Sequence, residues 1–257
     1  MTVRDRSSFG EFLRSRRSRL APEQVGLSPG RRRRTTGLRR EEVAELAGIG
    51  VDWYIRLEQG HTGSPSKATV DALARALKLN RAEHAHLKAL AGQSARQPFR
   101  RETASETLRY IVEAMDRPAY VTGQRWDVLA WNAAAVALFG DIAQWPEADR
   151  NIVIFFLTTQ KARRLFAETW EMEARRVVAQ FRAAYDLWAG DPAFEEVICR
   201  VRSECPELER WWDEHAIAEP GSGRKLLHLQ DGSRTFAYST FQANDDPALK
   251  LAIYCPL

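Results

Sequence analysis

Residues 38–60, LRREEVAELAGIGVDWYIRLEQG, constrain this chain more than any other stretch: two short amphipathic runs meet at a Gly48-Ile49-Gly50 break. Val43, Leu46 and Ala47 recur at i, i+3, i+4, and Tyr54 and Leu57 at i, i+3, so each run has one face to bury. Ala44 is small where a second helix must cross closely. Gly48 accepts the left-handed conformation that ends a helix, Ile49 plugs the corner, and Gly60 closes the second run. This spacing predicts a helix-turn-helix rather than an inert helical hairpin, with double-stranded DNA as the partner.

Through Arg40, Val43-Ala44, Gly48 and Leu57-Glu58-Gln59-Gly60 the stretch resembles the xenobiotic-response-element class of helix-turn-helix regulators. The resemblance implies a lambda-repressor-like head whose second helix lies in the major groove while the first crosses the backbone. By position, Arg40 then meets phosphate at the start of the first helix. Gly50, Val51, Asp52, Ile55, Arg56 and Gln59 form the groove-facing side of the second, and Arg17 pairs with Glu58. Val51 and Ile55 suit thymine methyls and Asp52 a cytosine amino group. Ile55 can equally pack inward, and an acid at 52 also repels phosphate. Tyr54 stands where the class usually has an aliphatic residue.

Charge is unevenly distributed. Residues 1–96 hold 19 Lys and Arg against 10 Asp and Glu, a net +9, whereas the remainder carries a net −5, so the overall +4 conceals a basic head and an acidic body. One domain meeting a polyanion and one that does not produce this asymmetry. Arg14, Arg16, Arg17 and Arg19 lie on a first predicted helix, and Arg31, Arg32, Arg33 and Arg34 form a run ahead of the helix-turn-helix. Placed there, the run is expected to contact phosphates and release counterions, the alternative being plain solvated surface.

The 257 residues suffice for two domains. The longest apolar run, residues 152–157, is far short of the ~20 residues a bilayer requires, and the polar start does not read as a signal peptide. Cys199, Cys205 and Cys255 have no metal-like spacing. The reading is a cytoplasmic protein without membrane partner or cofactor.

The head is read as residues 1–92 with five helices: 8–20, capped by Ser7 or Ser8, the two of the helix-turn-helix, 66–79 and 81–91. Residues 21–37 and 61–65 read as loops and 93–104 as a linker. The second domain, 105–257, opens with a helix over 106–115. Two β-prone runs, 119–122 and 126–131, flank a Gly123-Gln124 turn. Asn132 caps a helix over 133–139 that Gly140 ends. Helical patterns fill 151–215, and β-prone runs return at 225–229, 234–241 and 249–254. Strands at both ends with helices between predict an α+β domain, one antiparallel sheet with helices on one face.

WNAAAVALFG, residues 131–140, resembles the strand-to-helix stretch N-x-A-A-x-x-L-F-G of PAS-like sensor domains. Read with the head, DVLAWN, Arg150-Asn151, Trp212-x-x-His215 and His228-x-x-x-Gly232 resemble the MmyB-like regulators across nearly the whole chain. Leu229 departs from the proline that family places after the histidine. The resemblance implies transcriptional control by a PAS-like domain whose buried pocket takes a fatty-acid-like or other small lipophilic molecule. Arg150 and Asn151, ahead of Phe155 and Phe156, can fix a carboxylate at the mouth of an apolar segment; equally, Arg150 can bridge to an acid and Asn151 cap a helix. Trp212 and His215 share a helical face at the pocket wall, unless His215 merely satisfies a backbone carbonyl. Trp131 and His228 complete the expected ligand set. Seven of eight tryptophans fall after residue 125, enough to line a cavity or fill a core.

No G-x-S-x-G, P-loop, G-x-G-x-x-G or H-E-x-x-H motif occurs, and His84 and His86 point to different helix faces, so no enzyme is expected. Because one helix-turn-helix contacts few bases, a homodimer is expected. Three readings of the second domain remain: a lipophilic sensor, a module for dimerisation or protein-partner binding alone, or a PAS sensor holding haem or flavin.

Overall fold

The computed structural model describes residues 3–28, 37–61, 65–92, 99–218 and 221–257. They divide into two compact units, one within residues 1–98 plus Asp186–Gly190, the other Phe99–Tyr185 with Asp191–Leu257. The run at Arg31, Arg32, Arg33 and Arg34 lies outside the described residues.

In the first unit α1 (Val3–Arg19) begins well before the expected position 8. Nothing in the sequence from Val3 onward breaks a helix, and Ser7 and Ser8 cost only a few tenths of a kcal/mol each (about 0.5) inside one. α2 (Arg40–Ala47) and α3 (Val51–Glu58) form the helix-turn-helix. Gly48 sits at φ 66° and donates to Ala44 O and Glu45 O, which ends α2, while Gly50 N-caps α3 in extended conformation. α4 (Lys67–Ala76) is capped by the Ser66 side chain and α5 (Arg81–Ala91) by Asn80 in a capping box with Glu83. Leu13, Leu38, Val43, Ala44, Tyr54, Leu73, Leu87 and Leu90 are essentially inaccessible and form the core. Leu46, expected inside, is exposed: α2 is rotated so that Val43 and Ala44 make the inner face. α1 crosses the end of α3 at Gly10, where a Cβ would stand 2.2 Å from Glu58 O; only glycine permits that approach.

The second unit is built on a five-stranded antiparallel sheet: β1 (Ala119–Thr122), β2 (Val128–Trp131), β3 (Gly223–Leu229), β4 (Gly232–Gln242) and β5 (Lys250–Pro256), in the order β2-β1-β5-β4-β3. β1 therefore pairs with the last strand, Tyr120 opposite Ala252 and Thr122 opposite Lys250. β2 is shorter than expected because Trp126 adopts φ 69° and Asp127 instead bridges to Asn151.

Both faces of the sheet are covered, not one. α6 (Glu106–Glu113) packs Leu108 and Val112 against Ala119, Val121, Leu129 and the Leu251 and Ile253 side. Ala104 joins this core, and Phe99 meets Phe194 edge-on at 5.2 Å, so residues 99–104, expected as linker, belong to the second unit. The opposite face lies under α7 (Ala133–Phe139), α8 (Ile152–Thr158), α9 (Gln160–Phe166) and α10 (Trp170–Leu187); α11 (Pro192–Arg202) and α12 (Glu207–Asp213) follow. Asn132 caps α7 as expected, accepting from Ala135 N and Ala119 N and donating to Met115 O and Arg117 O, which ties strand, loop and helix together. Among the described residues no helix is long and apolar enough to cross a membrane.

Candidate functional site

The buried side of α3 is set by Tyr54, Leu57 and Glu58, leaving Val51, Asp52, Trp53, Arg56 and Gln59 exposed, with Ile55 between. Of the groove-facing set expected from sequence, Gly50, Val51, Asp52, Arg56 and Gln59 thus share an open surface, and Ile55 is half-buried. Trp53 was not anticipated. With 54, 57 and 58 inside, helical periodicity puts 53 beside 52 and 56, so the signal was present in the spacing.

The reader helix is anchored by its own last residue. The Glu58 side chain is wholly buried, with Arg17 Nε and Nη2 donating to its two oxygens at 2.8 Å each. Arg40 Nη2 and Nε reach Oε1 at 2.9 and 3.1 Å, and Arg14 lies 3.5 Å away. Arg17 also donates to Leu38 O, joining α1 to the entry of α2. Burial works to raise the Glu58 carboxyl, but the guanidinium hydrogen bonds of Arg17 and Arg40 outweigh it and hold it below the usual carboxylate range. Burial pushes the neighbouring Tyr54 phenol up. Arg40, expected on phosphate, is therefore first a partner of Glu58, since a buried carboxylate so close claims its guanidinium. Arg16, counted among surface cations, is paired with Glu83 at 2.7 Å.

Several residues expected around a ligand in the second unit are engaged by the chain itself. Asn151 is fully buried and N-caps α8: its oxygen accepts from Val153 N and Ile154 N, and its nitrogen donates to Arg125 O and Asp127 Oδ1. Asp127 in turn is held by Arg125 through two bonds of 2.8 and 3.0 Å. Arg150 donates to Ala143 O and Trp145 O and lies 5.4 Å over the Trp131 ring. Phe155 stacks on Trp145 at 4.8 Å. Trp212 and His215 form a clamp at the end of α12: Arg182 covers the indole at 4.5 Å, donates to Trp212 O, and lies 2.8 Å from His215 Nδ1. In these roles Asn151 satisfies the start of α8 and Arg182 the carbonyl at the end of α12.

Two cavities lie over the inner face of the sheet. The larger, about 710 Å³, is an open groove between α7, α9 and β3. Its floor is apolar, from Pro118, Ala134, Ala137, Leu138, Leu165 and Phe236, and its rim carries Lys161, Arg164 and His228 together with Gln230 and Asp231, the last paired with Arg234. His228, expected at the ligand site, is here; its Nδ1 meets Ser233 Oγ at 2.9 Å and its Nε2 lies 3.1 Å from Glu168 Oε2. The smaller, about 60 Å³, is an inner chamber bounded by α8, α10 and alternate residues of four strands. Phe156 contributes to this second space.

Residues 8–87 match a helix-turn-helix domain model, and residues 104–257 match the MmyB-like transcription regulator ligand binding domain. No curated protein matches the chain. Both matched families are regulator domains rather than enzymatic ones. With its exposed reader helix and its cavity-bearing α+β domain, the chain belongs to the MmyB-like transcription regulators.

Proposed function

We propose that this regulator reads a specific duplex sequence as a homodimer and that its second domain takes a small lipophilic acid, fatty-acid-like, in the groove between α7, α9 and β3. The observation that carries the ligand reading is the composition of that groove. An apolar floor with Lys161, Arg164 and His228 on its rim offers burial to a hydrocarbon body and charge to a carboxylate head. Its volume of about 710 Å³ falls in the range of roughly 300–1,000 Å³ typical of small-molecule sites. The groove replaces the pocket expected around Arg150, Asn151 and Trp212, keeping His228 alone from that set.

On the DNA side, Val51, Arg56 and Gln59 are the proposed base-edge contacts, with Asp52 and Trp53 flanking them. Arg14 and Arg40 add charge along the phosphates, together with Arg31 to Arg34. A ligand changes DNA affinity only if it favours one arrangement of the paired readers over another. The test is organic extraction of purified protein followed by mass spectrometry, with a decanoate titration of the extracted protein read by melting temperature. A recurrent stoichiometric lipid and a saturable rise in melting temperature support the sensor. No lipid and no rise from any fatty acid overturn it, leaving a domain that serves assembly alone.

A further inference from the structure

The inner chamber is unlike the groove. A buried sheet face ordinarily presents aliphatic side chains at every second position, but here those positions on β1, β3, β4 and β5 include Tyr120, Lys225, Tyr238, Lys250 and Tyr254. α10 adds Glu173 and Arg176 from above. Lys225 Nζ pairs with Glu173 Oε2 at 2.5 Å, and both side chains are over nine-tenths buried. The half-buried side chains of Arg176 and Lys250 have no ion pair or hydrogen bond among the described residues. The wall thus carries three cations and one acid, and that acid is already engaged.

From this imbalance we infer that the chamber is a binding site for a compact oxyanion, a carboxylate or phosphate of about four to six heavy atoms, gripped by Lys250 and Arg176 beside the Lys225–Glu173 pair. Size sets the limit. About 60 Å³ is well below the ~150 Å³ cavity that holds benzene, so an acyl chain or an aromatic acid is excluded while acetate, pyruvate or phosphate fits. Chemistry sets the sign. Arg176 and Lys250 are half-buried and face the same chamber without a counter-charge from its wall, and a bound anion would supply one. Burial lowers both Lys225 and Lys250, the former against the pull of Glu173, and an arriving anion would raise both again. Burial raises all three phenols, Tyr120 to about 12, and the Tyr238 and Tyr254 hydroxyls hydrogen-bond to that of Tyr120, so a neutral, linked group of hydroxyls walls the chamber near neutrality.

The test is calorimetric titration of the full chain with acetate, pyruvate and inorganic phosphate at constant ionic strength, with acetamide as the uncharged counterpart of acetate. The expected result is saturable binding of at least one of the three below 10 mM, which also separates a carboxylate from a phosphate preference, and none for acetamide. Lys250→Met and Arg176→Met should each weaken binding at least tenfold, and Lys250→Arg should retain it. Without ligand, Lys250→Met should keep a cooperative melt, which checks that the variant folds. Acetamide binding as well as acetate, no saturation by any of the three anions, or unchanged affinity in both methionine variants would overturn the assignment. Decanoate in the groove is titrated separately, so either site can fail without the other.

Discussion

Exchanging Glu58 for glutamine tests how the reader helix is held. The carboxylate has no solvent-accessible surface, and Arg17, only 13% exposed, is bound to it twice at 2.8 Å. Removing one partner of a buried pair strands the other charge at a cost of about 3–5 kcal/mol. Glutamine keeps one acceptor, and Arg40, 38% exposed, can turn to water, so the lower end, about 3 kcal/mol, is expected. Hydrogen exchange on the full chain reads this locally. At ~1.4 kcal/mol per tenfold, amides of α2 and α3 that exchange by opening of the head should do so about a hundredfold faster. Arg14→Ala, at 3.5 Å and mostly solvated, should change them little. The sign with pH follows from Glu58 lying below its unfolded value. Its contribution is complete above the ordinary carboxyl pKa of roughly 4.3 and is lost as pH falls through the folded value. The gap between parent and Glu58→Gln should therefore close in acid. An acceleration under about threefold at neutral pH, or a gap that widens in acid, would refute the clamp.

Gly10→Ala should lower the melting temperature of the head, by about 1–3 kcal/mol in stability, because its Cβ meets Glu58 O at 2.2 Å; a neutral result in a thermal scan would contradict the close crossing of α1 and α3. Asn151→Ala should destabilise the second domain by about 2–4 kcal/mol through four lost hydrogen bonds, while decanoate affinity of the folded fraction stays unchanged. Val51→Ala and Gln59→Ala should alter which duplex is preferred, whereas Arg40→Ala should weaken all duplexes about equally and also lower head stability; selection from a random duplex pool reads the former and salt-dependent titration with melting the latter. A head of residues 1–92 should bind the operator more weakly than the full chain, and equal affinity would remove the second domain from dimerisation.

What the sequence disclosed depended on whether the cause was local. Gly48, Asn132 and Gly140 act through the backbone of their own turns, and the elements they bound, α2, α3 and α7, stand where the pattern put them. Long-range pairing was less legible. No local cue shows that β1 lies against β5, or that α6 covers the outer face, because both follow from the closing of the whole sheet. The surroundings of the expected ligand residues were hidden for a related reason. Arg150 and Asn151 are a plausible anion pair in one dimension, but Asp127 and the unsatisfied end of α8 claim Asn151 in three. Lys225 and Lys250 gave the opposite lesson. Each reads as a solvated strand lysine until the register turns both to the inner face, 25 residues apart in sequence and in one chamber.

The most direct test of sequence-specific reading by α3 is a footprint of the full-length protein across genomic DNA, repeated with Val51→Ala. The account requires discrete protected sites sharing one motif, and a motif altered at one or two positions for the variant. Uniform weak protection for the parent, or a motif for Val51→Ala identical to the parent's, would contradict it.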